Sequence, residues 1–244
     1  MPINSATRIQ TILQQAIGQP GNLPVVDCWA KLLNIDEINI NKKSILVAER
    51  LGCLYRELEL IAPQMRNKNF SEKLYKNAIN QIEHALSTML LSGSWNQVTQ
   101  YLPKETFVAL GFCTEILTDE ESQVSQDELD EILANVQELR ASTIDSNLPI
   151  RLRQLVEHHI VLIEKALAEY PICGAKALRE AVYTGIGELI KDKEIVDDNK
   201  EASEVIKLAN IWDKLGMVAD TALKTDGVMQ LGQKVFELLE NINL

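Results

Sequence analysis

LPIRLRQLVEHHIVLIEKALAEYPICGAKALREAVYTGIGELI, residues 148–190, decides the fold class. Leu152, Val156, His159, Ile163 and Tyr170 recur at spacings of three, four and seven residues. That period places them on one stripe of a helix, not on one face of a strand. Pro149 suits a first helical turn, where its missing N–H costs nothing. The helix is predicted to reach Tyr170, and Tyr170-Pro171-Ile172-Cys173-Gly174 to turn the chain. Gly174 to Ile190 then forms an antiparallel partner, so that 149–190 is a central helix hairpin. Gly185 and Gly187 inside the second helix each cost about 1 kcal/mol relative to alanine. Their predicted use is close helix approach, because a lone Gly-Ile-Gly lacks the strand and phosphate loop of a nucleotide site.

Working outward, the same period recurs along most of the chain. Ser5 is the predicted N-cap of a helix carrying Ile9, Ile12, Leu13 and Ile17, which stops at Gly18-Gln19-Pro20-Gly21-Asn22. Trp29, Leu32 and Leu33 mark a short helix, and Asn34 to Asn41 a loop. Ile45, Ala48, Leu51, Leu54, Tyr55 and Leu58 predict a helix over 42–62 that Pro63 ends. A polar loop over 64–69 follows, then one long helix from Ser71 carrying Leu74, Ala78, Ile82, Leu86 and Leu90. Trp95 to Leu102 is a short helix, and Pro103 opens another with Phe107, Leu110, Cys113 and Leu117. Ser125-Gln126-Asp127-Glu128 reads as a capping box that starts a helix carrying Leu129, Ile132, Val136 and Leu139. Residues 191–202 are a charged connector. Val205, Leu208, Ala209, Trp212, Leu215 and Ala219 form an amphipathic helix, and a last one is predicted over 226–241.

The expectation is an all-α protein, an irregular multi-helix bundle of nine to eleven helices around the 149–190 hairpin. The pattern divides into an N-terminal helical region over 1–117, an acidic connecting helix over 118–145 and a C-terminal helical region over 146–244, with a single domain as the alternative. Composition agrees: 244 residues with 46% hydrophobic content can bury a sizeable core, and aromatics are only 5%.

The net charge of −11 opposes non-specific attraction to nucleic acid or anionic lipid. Much of it is local, since Asp119, Glu120, Glu121, Asp127, Glu128, Asp130, Glu131 and Glu138 fall within 118–138 without a lysine or arginine. The tract reads as a solvated helix start, with a docking face for a basic partner as the other use. Cys28, Cys53, Cys113 and Cys173 have neither disulfide-scaffold nor zinc-ligand spacing, and His84 has no metal-spaced partner, so no metal or cofactor is expected. The N-terminus lacks a basic region followed by an apolar core, and no apolar run approaches the ~20 residues that cross a bilayer. A cytoplasmic location and no membrane contact are expected.

Candidate chemistry is confined to the first helix of the hairpin. Arginine–histidine spacings occur as Arg153 with His158, Arg153 with His159 and Arg151 with His158. At ~100° per residue only Arg151 and His158 project within about 20° of each other. Arginine followed after four to six residues by histidine resembles the motif of the HEPN ribonucleases, an all-α family of toxins, antiviral systems and CRISPR effectors. The resemblance is limited to this motif and the helical class. It implies metal-independent RNA cleavage by a homodimer, with Arg151 and His158 as catalytic residues. Without it, His159 is a hydrogen-bonded core histidine, Arg153 pairs with Glu157, and Arg151 and His158 form a solvated face. Arg66, Lys68, Lys73 and Lys76, interleaved with Phe70 and Tyr75, read as a loop and helix start, or as a phosphate or partner contact.

The expected function is therefore a non-enzymatic module that binds another protein, or a second copy of itself, in a stress, toxin–antitoxin or antiviral setting. The alternatives are the HEPN-like ribonuclease, the one reading that involves nucleic acid, and a sensor with an apolar small-ligand pocket between helices.

Overall fold

The computed structural model describes residues 3–144 and 146–223. The helix expected over 226–241 lies outside the described residues. Within them the chain forms eleven α-helices and no strand: α1 (Ser5–Ile17), α2 (Val25–Leu32), α3 (Ile40–Asn67), α4 (Lys76–Ala85), α5 (Asn96–Thr99), α6 (Lys104–Ile116), α7 (Gln126–Ile144), α8 (Ile150–Cys173), α9 (Ala175–Lys191), α10 (Lys193–Asp197) and α11 (Ser203–Leu223). The protein is all-α, as its apolar periodicity requires. Among the described residues no helix is long and apolar enough to cross a membrane.

The chain forms two compact units. The first holds the described residues up to Glu120 together with Pro171–Cys173. Here α1 packs against α3 and α6, and α4 against α6. Trp29 meets Trp95 edge to face with ring centroids 5.1 Å apart, and the Trp95 indole donates to the Ala16 carbonyl at 3.0 Å. The cap of α1 is Asn4, one residue before the serine expected there. Its side chain accepts from the Thr7 amide and donates to the carbonyls of Thr114 and Leu117. Ser5 becomes the first helical residue and points its hydroxyl at Glu57 and Glu120.

Helix α3 runs straight through Pro63 for 28 residues, against the expected end at 62 and loop over 64–69. Leu58, Ile61 and Met65 keep the apolar stripe in register across the proline, and all three are buried. Pro63 and Glu59 lie on the solvent side, where the carbonyl that loses its partner can tilt toward water. Burial on one face outweighs the hydrogen bond lost on the other. The long helix expected from Ser71 is instead broken into a 3-10 turn at Glu72–Leu74, α4, and a second 3-10 turn at Thr88–Leu90. Leu74 is 52% exposed, so the buried stripe starts only at Tyr75, and Ser87 breaks the far end by accepting from the Met89 amide.

The second unit holds Glu121–Tyr170 and the described residues from Gly174 onward. Its core joins Ile132, Val136 and Leu139 of α7, Val156, Ile160 and Ile163 of α8, Leu178, Val182 and Ile186 of α9, and Leu208, Trp212 and Leu215 of α11. The capping box at the start of α7 is made: the Ser125 hydroxyl accepts from the Glu128 amide, and the Glu128 carboxylate accepts from the Ser125 amide and hydroxyl. These bonds hold the Glu128 carboxyl below its usual range. Arg140 clamps Glu164 with both guanidinium nitrogens and so ties α7 to α8.

The hairpin forms, with a tighter turn than the sequence suggested. Helix α8 continues through Pro171 to Cys173, and Gly174 alone separates it from α9. Gly174 adopts φ 68° and ψ −158°, a region only glycine visits without strain. Gly185 permits the expected close approach, since a Cβ there would meet the Trp212 ring at 2.4 Å. Gly187 does not: a Cβ there would find open space. The connector over 191–202 contains the short α10.

Most of the acidic tract has specific partners. Asp119 accepts from the Ile3 amide, Glu120 pairs with Arg8, and Glu121 accepts from the Ala175 amide at the start of α9. Glu131 pairs with Lys214 and Glu138 with Lys207, both on α11. Charges that look like a continuous face in the sequence are distributed among caps and ion pairs.

Candidate binding cleft on the α8–α9 hairpin

Arg151 and His158 line one open cleft of about 320 Å³, as their seven-residue spacing on a regular helix requires. Gln154 and Leu155 of α8 complete its near wall. The far wall is Glu188 and Lys191 of α9, followed by Asp192 and Ile195. His158 Nε2 lies 2.9 Å from a Glu188 carboxylate oxygen, although the imidazole remains 58% exposed. At that exposure the pair contributes at most about 1 kcal/mol to stability. Its consequence is orientation, since the contact points Nε2 of the ring toward Glu188.

Arg151 is exposed and has no hydrogen-bond or ion-pair partner among the described residues, and neither has Lys191. The cleft therefore presents two uncommitted cations, one oriented imidazole and one uncommitted acid, Asp192. Such a set can hold an anionic group by charge-assisted hydrogen bonds, with Arg151 able to grip a carboxylate or phosphate through two donors.

The neighbouring candidates have other roles. Arg153 donates from Nη2 to the Ser146 carbonyl at 2.8 Å and does not pair with Glu157. His159 is fully buried, as its place on the apolar stripe predicts, yet neither ring nitrogen has a hydrogen-bond partner among the described residues. Its ring meets Trp212 edge to face at 5.7 Å, and burial pulls its pKa down to about 4. His84 stacks on Tyr101. In the basic patch, Arg66 and Lys76 both lean on Glu72, and Tyr75 is buried, so that ring is not available to stack on a base.

Among the described residues no group of three potential ligands is placed to hold a metal ion. The Cys113 thiol is pushed up to about 11 by burial, which keeps it protonated and unreactive near neutral pH. The apolar space lined by Leu152, Val156, Val196 and Leu208 amounts to about 10 Å³, too little for any organic ligand while the helices stand as they do.

Glu188, Lys191 and Asp192 were not among the sequence candidates. The signal existed in the hairpin itself: folding α8 onto α9 about Gly174 brings position 158 opposite position 188. No family model, no curated protein and no solved structure matches this chain.

Proposed function

We propose that the protein is a non-enzymatic helical module of the reducing cytoplasm that binds a partner protein through the α8–α9 cleft. The observation that carries this reading is the pair of uncommitted cations, Arg151 and Lys191, lining the same cleft as the apolar Leu155 and Ile195. That combination suits a carboxylate-bearing side chain next to an apolar one. Rim charges of this kind set encounter rate and register, while the apolar contact resists dissociation. None of the four cysteines forms a disulfide, which agrees with a reducing compartment.

The test is a photo-crosslinking residue placed at Gln154 of the full-length chain, with capture from native lysate of the source organism. One stoichiometric partner is expected. The Arg151→Glu, Lys191→Glu double variant should reduce its capture by about tenfold or more. Lys165→Glu, which reverses an exposed cation elsewhere on α8, should leave it unchanged. No specific partner, or equal capture by the double variant, overturns the reading.

A second reading is metal-independent cleavage of RNA by a homodimer, favoured by Arg151 and His158 sharing one cleft and by the carboxylate that orients His158. In that chemistry the ribose 2′-hydroxyl passes its proton to an imidazole as it attacks phosphorus. Arg151 stabilises the charge that builds on the phosphorane, and the 5′ oxygen leaves with a proton from a second imidazole. The two readings differ in ligand, protein or RNA, and in turnover.

A further inference from the structure

We infer that His159 is an acid-sensitive latch that holds α8 against α11, and that protonating it loosens the second unit. The geometry carries this. The imidazole is fully buried, neither of its nitrogens has a hydrogen-bond partner among the described residues, and its neighbour across the interface is the uncharged Trp212 ring. Trp212 is itself seated against Gly185 so closely that not even a methyl group fits between them. Among the described residues an imidazolium formed here finds no acceptor for either N–H and no contact with solvent, so the helices must part to hydrate it.

Two ionisable groups act on His159 besides burial. His158, on the same helix with ring centroids 5.8 Å away, disfavours the proton, and Asp192 at the end of α9 favours it more weakly. Burial is the largest influence, and the folded-state value of about 4 lies below the ordinary 6.5. Between these values the unfolded chain takes up a proton that the folded chain refuses. The contribution of His159 to stability is thus complete above about pH 6.5 and is lost as pH falls toward 4. Linkage between the two values lowers the folding equilibrium constant by about 20-fold between pH 7 and pH 5. That α8 would carry the cleft with it when it loosens rests on the reading of the cleft above, whereas the latch does not.

The test compares urea unfolding of the wild-type chain and the His159→Leu variant between pH 7 and pH 5, a window above most carboxylate titration. The folding equilibrium constant of the wild type should fall about 20-fold further than that of the variant across it. Equal losses overturn the latch. Should the variant fail to fold, 13C-labelled histidine in the wild-type chain settles the question by NMR, since the sequence has only three histidines. One folded-state imidazole that stays neutral to below pH 5 is the expected result. Three that all titrate near pH 6.5 overturn the proposal.

Discussion

Gly174→Ala is expected to destabilise the second unit by about 3–5 kcal/mol, from two sources that add. The first is conformational: at φ 68° and ψ −158° an alanine occupies a region that costs about 1–3 kcal/mol. The second is steric and polar. The new Cβ would fall 2.2 Å from a Glu121 carboxylate oxygen, so that side chain must withdraw. Glu121 is buried and accepts from the Ala175 amide, which makes it a cap for α9 supplied from 54 residues away. Withdrawing it breaks that bond and leaves the helix-terminal N–H of Ala175 unmatched. Urea unfolding measures the loss, and the same substitution in a Glu121→Ala background should cost less, because only the backbone strain remains. A loss under about 1 kcal/mol in the wild-type background would show that the turn tolerates a side chain.

Arg8→Ala is expected to cost the first unit a similar 3–5 kcal/mol. One guanidinium there serves two carboxylates, Glu57 and Glu120, each at 2.7 Å, and donates from Nε to the Ile172 carbonyl at 3.0 Å. Burial alone would draw Arg8 toward its neutral form. The hydrogen bonds and charges of the two glutamates more than offset this and raise its pKa. Removing the cation strands two acids in a site where Arg8 and Glu57 are each 7% exposed. The penalty comes from the stranded charges, not from loss of a favourable pair, so replacing all three residues by apolar ones of similar volume should restore much of the stability. Arg8→Lys should fall between, since an ammonium cannot reach both carboxylates and the carbonyl in the guanidinium's geometry. An Arg8→Ala protein of wild-type stability would contradict the network's role.

Several local features of the fold were legible from a periodic signal or a nearby cap, although the equally periodic run from Ser71 breaks at both ends and α1 is capped by Asn4, not Ser5. The stripes of α8 and α11, the box at Ser125 and Glu128, and the burial of His159 all follow from spacing. The two prolines inside helices did not. Pro63 and Pro171 each remove one hydrogen bond, and whether the helix survives depends on the buried residues beyond them, Met65 and Ile172, whose partners come from elsewhere in the chain. The same limit applies to charge. Composition presented the 118–138 tract as one acidic face, but Glu121, Glu131 and Glu138 have partners at Ala175, Lys214 and Lys207 that no local pattern announces.

For the cleft, sequence periodicity paired Arg151 with His158 correctly on one face, because both belong to one helix. Glu188 and Lys191 belong to the next helix, and they become visible only when the register of the hairpin is known. It is these two residues that change the chemistry, one by orienting His158 and the other by adding a second cation.

Binding without turnover at this cleft is tested most directly by incubating the purified chain with labelled single-stranded RNA in the absence of metal ions, beside the Arg151→Ala, His158→Ala double variant. The RNA is expected to remain intact with both proteins. Cleavage by the wild-type chain that the double variant loses would contradict a non-enzymatic role and make Arg151 and His158 catalytic residues.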